Sequence, residues 1–433
     1  MSCFVTLSVP LTFDYHVDGI GGRARLPPEI FDQVVDHLED SPTDLKSCSL
    51  VCRDWVPRSR FHLFRSLSLP IEEVDLASFV TTPYPYIDQS ILDIFNSSSA
   101  LGRYVQKLTL DFRYSSQLVS TSEPWIIELS RGLIQLKQLT LFMFPIYDLS
   151  TNMRRLLPDL LASNPGLEKI TIDSCIFEDA QSFWSFLQDA AQLENLNHLS
   201  LIGIILRKIP TEREVDRIIG RHALPQRHSK LQTLELGQMS VFLLLQYMFI
   251  NPNALFDLTD LRRIRIRDIG ALFFYGDLWP VVGSSITHLD FEVGKYVKDE
   301  YVRPQFLQLT TLTHLTLSVA ASRFQLLNLL TVLSHVPSIP SLRSLTIIWP
   351  QLHSTWEIFS DRLACEALDG LLASIKGLKE IVLELRCHSP KQAPFGDGYE
   401  RKMLPITAKT GVLEVKVMEI RGYTMYGEPR FAR

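Results

Sequence analysis

The sequence predicts an α/β protein: a short three-helix module near the N-terminus, followed by a solenoid built from strand–helix repeats. Two observations predict it. Residues 26–64 carry apolar side chains at helical spacing behind a proline-rich start, and a six-residue apolar pattern then recurs through the rest of the chain. Repeated strand–helix units stack in a single direction, so the strands should run parallel on a concave face, with the helices on the convex face.

Length and composition fit a folded protein of two or three domains. The chain has 433 residues, of which 46% are hydrophobic and 21% charged, and its net charge is −5. The acidic balance disfavours a general nucleic-acid binder. The most apolar run, Val241–Ile250, is about half the length of a membrane span, and the N-terminus lacks the basic region of a signal peptide. We therefore expect a cytoplasmic and/or nuclear protein without a membrane or nucleic-acid partner.

The cysteines indicate reduced thiols rather than disulfides or a metal site. None of the six forms a CxxC pair. Cys48 and Cys52 lie about one helical turn apart, but no third ligand is near them in sequence, so small buried hydrophobic side chains are the better interpretation. The sequence predicts no metal and no cofactor.

The helical module is predicted over 23–70, after an arm over 1–22 that we expect to be flexible. A first helix should begin near Pro28, because proline suits the first helical position, and its apolar face should run through Ile30 and Val34 to Leu38. The sequence Ser41-Pro42-Thr43-Asp44 should end that helix and cap a second one. The solenoid would then occupy 71–433.

This module resembles the F-box family. The resemblance rests on Leu26-Pro27-Pro28-Glu29-Ile30, on Val34-Val35, and on the closing Val51-Cys52-Arg53-Asp54-Trp55. It implies binding to a Skp-type adaptor, which would link the chain to a cullin ubiquitin ligase. By this resemblance the adaptor contacts are Leu26, Pro27, Ile30, Leu45, Val51 and Trp55. The alternative is that these residues only form the internal core of a helical cap.

The pattern Leu-x-x-Leu-x-Leu, with aliphatic substitutes, starts eleven times between Val105 and Val412, at a mean spacing of about 31 residues. Its starts are residues 105, 136, 167, 196, 231, 261, 286, 312, 342, 378 and 412. The array resembles the leucine-rich-repeat family. The unit at Leu167 fits best, with Cys175 at the position usually held by Asn or Cys, whereas most other units lack that residue. The spacing, 25 to 36 residues, indicates irregular repeats.

Between the inward-facing aliphatic residues of each strand, the remaining side chains should face the concave surface. Arg263, Arg265 and Arg267 then project from one strand. They either bind an acidic or phosphorylated target segment, or form an ion ladder with Glu235 on the previous strand and Asp290 with Glu292 on the next. His198, His288 and His314 share one repeat position and are interpreted as solvated surface residues. The loop over 386–401 is left open between target contact and disorder.

No sequence signature indicates catalysis: a phosphate loop, an HExxH pair and a GxSxG elbow are all missing. The leading hypothesis is a non-catalytic receptor subunit of a Skp–cullin–F-box ubiquitin ligase, which holds an unidentified target protein on its repeats. A scaffold outside any ligase, with the helical module as a structural cap, is the alternative. A sensor that binds a small anionic molecule is a third.

Overall fold

The computed structural model describes residues 27–51, 53–70, 101–112, 127, 130–144, 151–221, 229–237, 242–250, 254–267, 278–293, 306–319, 323–349, 362–387, 404–423 and 429–431. The chain divides into two compact units, Met1–Leu63 and Phe64–Arg433. The predicted arm over 1–22, the proposed contact Leu26 and most of the loop over 386–401 lie outside the described residues.

The N-terminal unit contains helices α1 (Pro28–Asp36) and α2 (Pro42–Val51), a 3₁₀ turn (Arg53–Trp55) and most of helix α3 (Val56–Phe64). Pro28 opens α1 as predicted, because a proline at the first position forgoes an N–H that has no helical partner. Between α1 and α2, Ser41 hydrogen bonds to the Asp44 carboxylate at 2.6 Å, which steadies the first turn of α2.

A partly buried ion network ties α1 to α3. The Arg58 guanidinium donates to both carboxylate oxygens of Asp36, at 2.5 Å from Nε and 2.7 Å from Nη2, and His62 Nε2 lies 2.7 Å from the same carboxylate. The hydrogen bond from Arg58 lowers the pKa of Asp36 to about 2, although burial opposes the shift. Because this geometry is bidentate, it fixes the angle between the two helices as well as their contact.

One sheet of thirteen strands runs through the described part of the second unit. The strands follow one another in chain order, each pair parallel, except that the last strand pairs antiparallel with its neighbour. They are β1 (Ser66–Pro70), β2 (Lys107–Asp111), β3 (Gln138–Phe142), β4 (Lys169–Asp173), β6 (His198–Ile202), β9 (Thr233–Gly237), β11 (Arg263–Ile266), β12 (His288–Val293), β13 (His314–Val319), β14 (Ser344–Trp349), β15 (Glu380–Cys387), β16 (Leu413–Tyr423) and β17 (Pro429–Phe431). All eleven strands predicted from the repeat pattern form.

Four shorter strands make two small parallel pairs beside the main sheet. They are β5 (Ile176–Phe177) with β7 (Ile205–Leu206), and β8 (Ser229–Lys230) with β10 (Phe256–Asp257).

Ser66–Pro70, which the sequence assigned to the helical module, belongs instead to the sheet as β1. It pairs in parallel with β2. The repeat pattern is present there, as Phe64-Arg65-Ser66-Leu67-Ser68-Leu69, but Phe64 stands where the other repeats carry an aliphatic residue. Leu67 and Leu69 are buried like their counterparts in the later strands.

The helices connect successive strands, and the described neighbours pack against one another on the core side of the sheet. They are α4 (Thr151–Ser163), α5 (Ala180–Ala191), α6 (Glu212–Arg221), α7 (Phe242–Phe249), α8 (Trp279–Val282), α9 (Arg323–His335), α10 (Arg362–Ser374) and α11 (Pro405–Lys409). Amphipathic spacing in the sequence predicts helices over 153–162, 180–191, 323–334 and 356–374. The first three agree with α4, α5 and α9 within two residues, and the described part of the fourth is α10. No described helix combines the length and apolarity that a membrane crossing requires.

The core repeats with the strands. In the best-matched unit Leu167, Ile170, Ile172, Cys175 and Phe177 are all fully buried, as predicted. The Cys175 thiol lies 3.6 Å from the carbonyl oxygen of Leu141 in the preceding repeat, and burial raises its pKa to about 12, so it is an inert structural group. Each buried aliphatic side chain contributes about 1.5–3 kcal/mol to the stability of the fold. A single repeat cannot cover its own apolar side chains, so each repeat depends on its neighbours.

Asn164 connects two neighbouring repeats through its buried side chain. Its Nδ2 donates to the carbonyl oxygens of Leu133 at 2.8 Å and Leu160 at 2.9 Å, and its Oδ1 accepts from the backbone N–H of Leu136 at 2.8 Å. The Asn164 side chain therefore hydrogen bonds both to the backbone near the end of α4 and to the backbone that leads into β3.

Replacing Asn164 with alanine should destabilise the protein by about 2–4 kcal/mol, because three buried backbone groups lose their partner. Asn195→Ala is the matched control: Asn195 is exposed and makes one hydrogen bond, to the Pro165 carbonyl oxygen, so its loss should change stability by less than about 0.5 kcal/mol. The midpoint of urea unfolding, followed by circular dichroism, measures both. Equal midpoints for the two variants would show that Asn164 does not hold the repeats together.

Candidate functional site

The side of the sheet opposite the core, here called the open face, carries polar side chains in rows that cross the strands. The pairing register fixes these rows, because residues that alternate with the buried ones fall opposite each other on adjacent strands. The first row contains Lys107, Gln138, Lys169, His198, Thr233, Arg263, His288, His314, Ser344 and Glu380. The second contains Thr109, Thr140, Thr171, Ser200, Glu235, Arg265, Asp290, Thr316, Thr346, Val382 and Glu414.

The three arginines of the sixth repeat form ion pairs with acids on both neighbouring strands. Arg263 Nη2 lies 2.6 Å from an Asp290 carboxylate oxygen on β12. On the other side, Glu235 of β9 accepts from Arg267 Nε at 2.7 Å and lies 3.4 Å from Arg265 Nη1. The ion-ladder interpretation is therefore confirmed for Glu235 and Asp290. A contribution of Glu292 to the ladder stays a prediction. A role of these arginines in holding a target stays a prediction.

Glu235 is the centre of this network. Its side chain is only 12% exposed and also accepts a hydrogen bond from Ser200 Oγ at 3.0 Å. Burial by itself would raise the pKa of Glu235, but the charges of Arg267 and Arg265 outweigh it and hold that pKa below its ordinary value.

Gly237 makes room for Arg267 to reach Glu235. A Cβ atom at Gly237 would lie 2.8 Å from the Cβ of Arg267, closer than two carbon atoms can approach without displacement. Sequence reasoning gave no role to this glycine; a small residue where the neighbouring strands carry larger ones was the signal.

Imidazoles extend the first row on both sides of the network. The rings of His288 and His314 stack at 4.2 Å between centroids, and each Nδ1 lies within 2.9 Å of the preceding threonine hydroxyl. On β6, burial lowers the pKa of His198 to about 4, with the nearby charge of Lys169 acting in the same direction, so this ring is neutral at physiological pH. No group of three potential metal ligands occurs among the described residues. The interpretation as a solvated surface residue is wrong for His198, whose Nε2 atom is buried.

The helical unit exposes a separate set of apolar side chains. Ile30 and Val34 share one face of α1 and are 41% and 43% exposed, and Leu50 and Val51 at the end of α2 are 86% and 66% exposed. We call these four residues the apolar set. Exposed aliphatic side chains gathered in so small a unit are a feature of binding surfaces.

The remaining contacts implied by the family resemblance lie in three environments. Pro27 is exposed, whereas Trp55 is half-buried and its ring centroid lies 5.8 Å from that of Phe31. Leu45 is 1% exposed, which corrects its assignment as a partner contact: it packs inside the chain together with Val35. Sequence reasoning did not name Leu50, although two adjacent apolar residues at a helix end cannot both face the core.

Replacing Glu235 with glutamine should lower the melting temperature at pH 7, because Arg265 and Arg267 lose their shared counter-charge; breaking such a buried pair costs about 3 kcal/mol. The folded pKa lies below the ordinary value of 4.5, so Glu235 stabilises the protein above that value, and this contribution disappears as the pH falls through the folded pKa. Melting curves between neutral and acid pH should therefore converge for the wild type and the variant.

Glu178→Gln, which breaks the exposed pair with Lys208, is the control and should change the melting temperature little at any pH. A constant difference between Glu235→Gln and the wild type down to acid pH would contradict the electrostatic origin of the effect.

No family model and no curated protein matches this chain. Among solved structures, the chain is similar to one in the crystal structure of the Rad7 and Elc1 complex in yeast. The two are 13% identical, the match covers 86% of this chain and 91% of that chain, and the TM-score is 0.38.

Proposed function

We propose that this chain is a non-catalytic receptor: its helical unit binds a Skp-type adaptor of a cullin ubiquitin ligase, and the open face of its sheet holds a target protein. The observation that carries the proposal is the apolar set of Ile30, Val34, Leu50 and Val51, which the helical unit leaves exposed. It lies within the stretch that resembles the F-box family.

The helical unit separates its apolar residues into two groups. Val35, Leu45 and Cys48 are buried and account for the internal packing. The apolar set keeps a large part of its surface exposed, which an internal cap alone leaves unexplained. Burying aliphatic side chains against a partner stabilises a complex by about 25 cal/mol per Å² of apolar surface. The apolar set would therefore contribute to the affinity for a partner.

Two internal features would keep the apolar set in a fixed arrangement. The bidentate contact between Arg58 and Asp36 locks α3 to α1, and the ring contact between Trp55 and Phe31 anchors the 3₁₀ turn to α1. A surface that is ordered before binding loses less conformational entropy when the partner docks. Trp55 would then be held by Phe31 while its remaining exposed edge is available for contact.

The open face suits a protein partner better than a reacting small molecule. It is a broad sheet surface on which the three arginines of the sixth repeat are held by the ion ladder, and the sequence contains no motif for nucleophilic or metal-assisted catalysis. Ubiquitin transfer would be performed by partner subunits. The receptor would accelerate it by holding the target near them, which raises the effective concentration of the target.

Substituting Ile30, Leu50 and Val51 together by alanine should weaken capture of a purified Skp-type adaptor–cullin complex at least about tenfold, since each exposed aliphatic anchor contributes on the order of 1 kcal/mol. Leu50 and Val51 are largely exposed and Ile30 is partly so, and circular dichroism checks that the variant is folded. Affinity is measured by immobilising the wild type or the variant and titrating the complex.

A matched control removes three equally exposed aliphatic side chains from the second unit: Ile209→Ala, Leu327→Ala and Leu363→Ala. This control should bind the adaptor like the wild type. If the folded wild type captures no adaptor, the ligase-receptor proposal fails and the chain is better described as a scaffold with a helical cap. Equal weakening in both triple variants would contradict the location of the surface.

A further inference from the structure

Cations are concentrated at the edge of the sheet where the strands begin. This edge is formed by the second and third positions of the repeat pattern, which lie at and just before the first row of the open face. From β2 to β14 these positions carry one acid, Glu168, and six cations: Lys107, Lys137, Lys169, Arg262, Arg263 and Arg343. We call these six residues the basic edge. This concentration of positive charge contrasts with the net charge of the whole chain, which is −5.

Acids gather at the opposite ends of the same strands. Asp111 and Asp173 are the last residues of β2 and β4, and Glu292 lies near the end of β12. In the row that joins these positions from β2 to β13, Arg267 is the one described cation. The charge of the open face is therefore polarised along the strands. An anion that crosses the sheet is attracted to one edge and repelled from the other.

Several cations of the basic edge have no ion-pair partner among the described residues. Lys107 and Lys169 form no ion pair with any described residue, and Arg262 donates to the backbone carbonyl oxygen of Ser285, which cannot neutralise it. Lys137 pairs with Glu168 at 3.0 Å, but both side chains are close to half exposed, so water weakens this pair.

Lys169 is the clearest case. Burial lowers the pKa of its ammonium group, and the charge of Lys107 two strands away acts in the same direction, while Glu235 opposes them. A lysine in this position gains most from an additional anion, because its charge is partly desolvated already.

The spacing of the cations fits an extended peptide. From β2 to β11 the sheet takes five strand-to-strand steps, through β3, β4, β6 and β9. At about 4.8 Å a step this distance is about 24 Å, which an extended chain spans with about seven residues. Single acidic side chains of such a peptide would then lie near single cations of the basic edge at intervals along its length.

We propose that the part of the basic edge from β2 to β11 binds an extended, Asp/Glu-rich segment of a partner protein, which runs across the strands. This inference deepens the proposed function, on which it rests, by naming the chemistry of the target segment. A single phosphate group fits less well, because it favours a cluster of free guanidinium groups and Arg263 is already held by Asp290. A nucleic acid fits less well because the first two rows hold no Phe, Tyr or Trp on which bases could stack, and Glu235 with Asp290 would repel its backbone.

The test is fluorescence anisotropy of the full-length protein with a labelled peptide of about twelve residues that alternates Glu and Gly. Low salt, about 50 mM, keeps screening weak. The edge variant is Lys107→Gln, Lys169→Gln and Arg262→Gln. The control variant removes three exposed cations elsewhere: Arg213→Gln and Arg217→Gln on α6, and Lys230→Gln on β8. Circular dichroism checks that both variants are folded.

We expect the wild type and the control to bind alike and the edge variant to bind at least about tenfold more weakly, with a smaller dependence on salt. Absence of wild-type binding, or equal weakening in both variants, would overturn the proposal. Tighter binding of a singly phosphorylated peptide or of a single-stranded oligonucleotide of matched charge would overturn the choice of partner. Adaptor capture by the edge variant, run in parallel, separates failure of this site from failure of the proposed function, because the substitutions leave the apolar set intact.

Discussion

The structure of the second unit depends on one constraint: the apolar residues of each repeat can be covered only by the repeats on either side of it. Leu139, Ile170 and Leu199 lie opposite one another on β3, β4 and β6, all fully buried. Because the side chains of a strand alternate, a shift of one residue would turn every buried side chain outward. Burial therefore fixes a single register from β1 to β16, and Asn164 and Cys175 strengthen it with hydrogen bonds between repeats.

That register also decides what the open face presents. Glu235 stands beside Arg265, and Asp290 on the other side, since their strands are held in step by the core beneath them. The ion ladder is thus a consequence of apolar packing rather than its cause, which is why removing one acid should leave the fold intact while lowering its stability. The same register aligns the cations of the basic edge, although they lie on separate strands and far apart in sequence.

Features that depend on local periodicity, such as the strands and helices, were predicted from the sequence. Features that depend on which of several equivalent partners a side chain contacts could not be predicted from it. The eleven strands, the helix over 180–191 and the buried Cys175 all follow from spacing. The strand β1 was missed because Phe64 replaces the aliphatic residue that starts the other repeats. Helical spacing also could not tell that Leu45 faces inward while Leu50 faces outward. Whether the three arginines were free or paired remained open, because side-chain rotamers decide it.

The central claim, that the helical unit is the adaptor-binding surface of a receptor, is tested most directly by hydrogen–deuterium exchange of the full chain with and without a purified Skp-type adaptor. Amide protection reports where a partner covers or stabilises the backbone. We predict that the adaptor slows amide exchange over α1 and α2, from Pro28 to Val51, and leaves exchange in strands β3 to β14 unchanged. Protection confined to the strands, or no change anywhere at saturating adaptor, would contradict it.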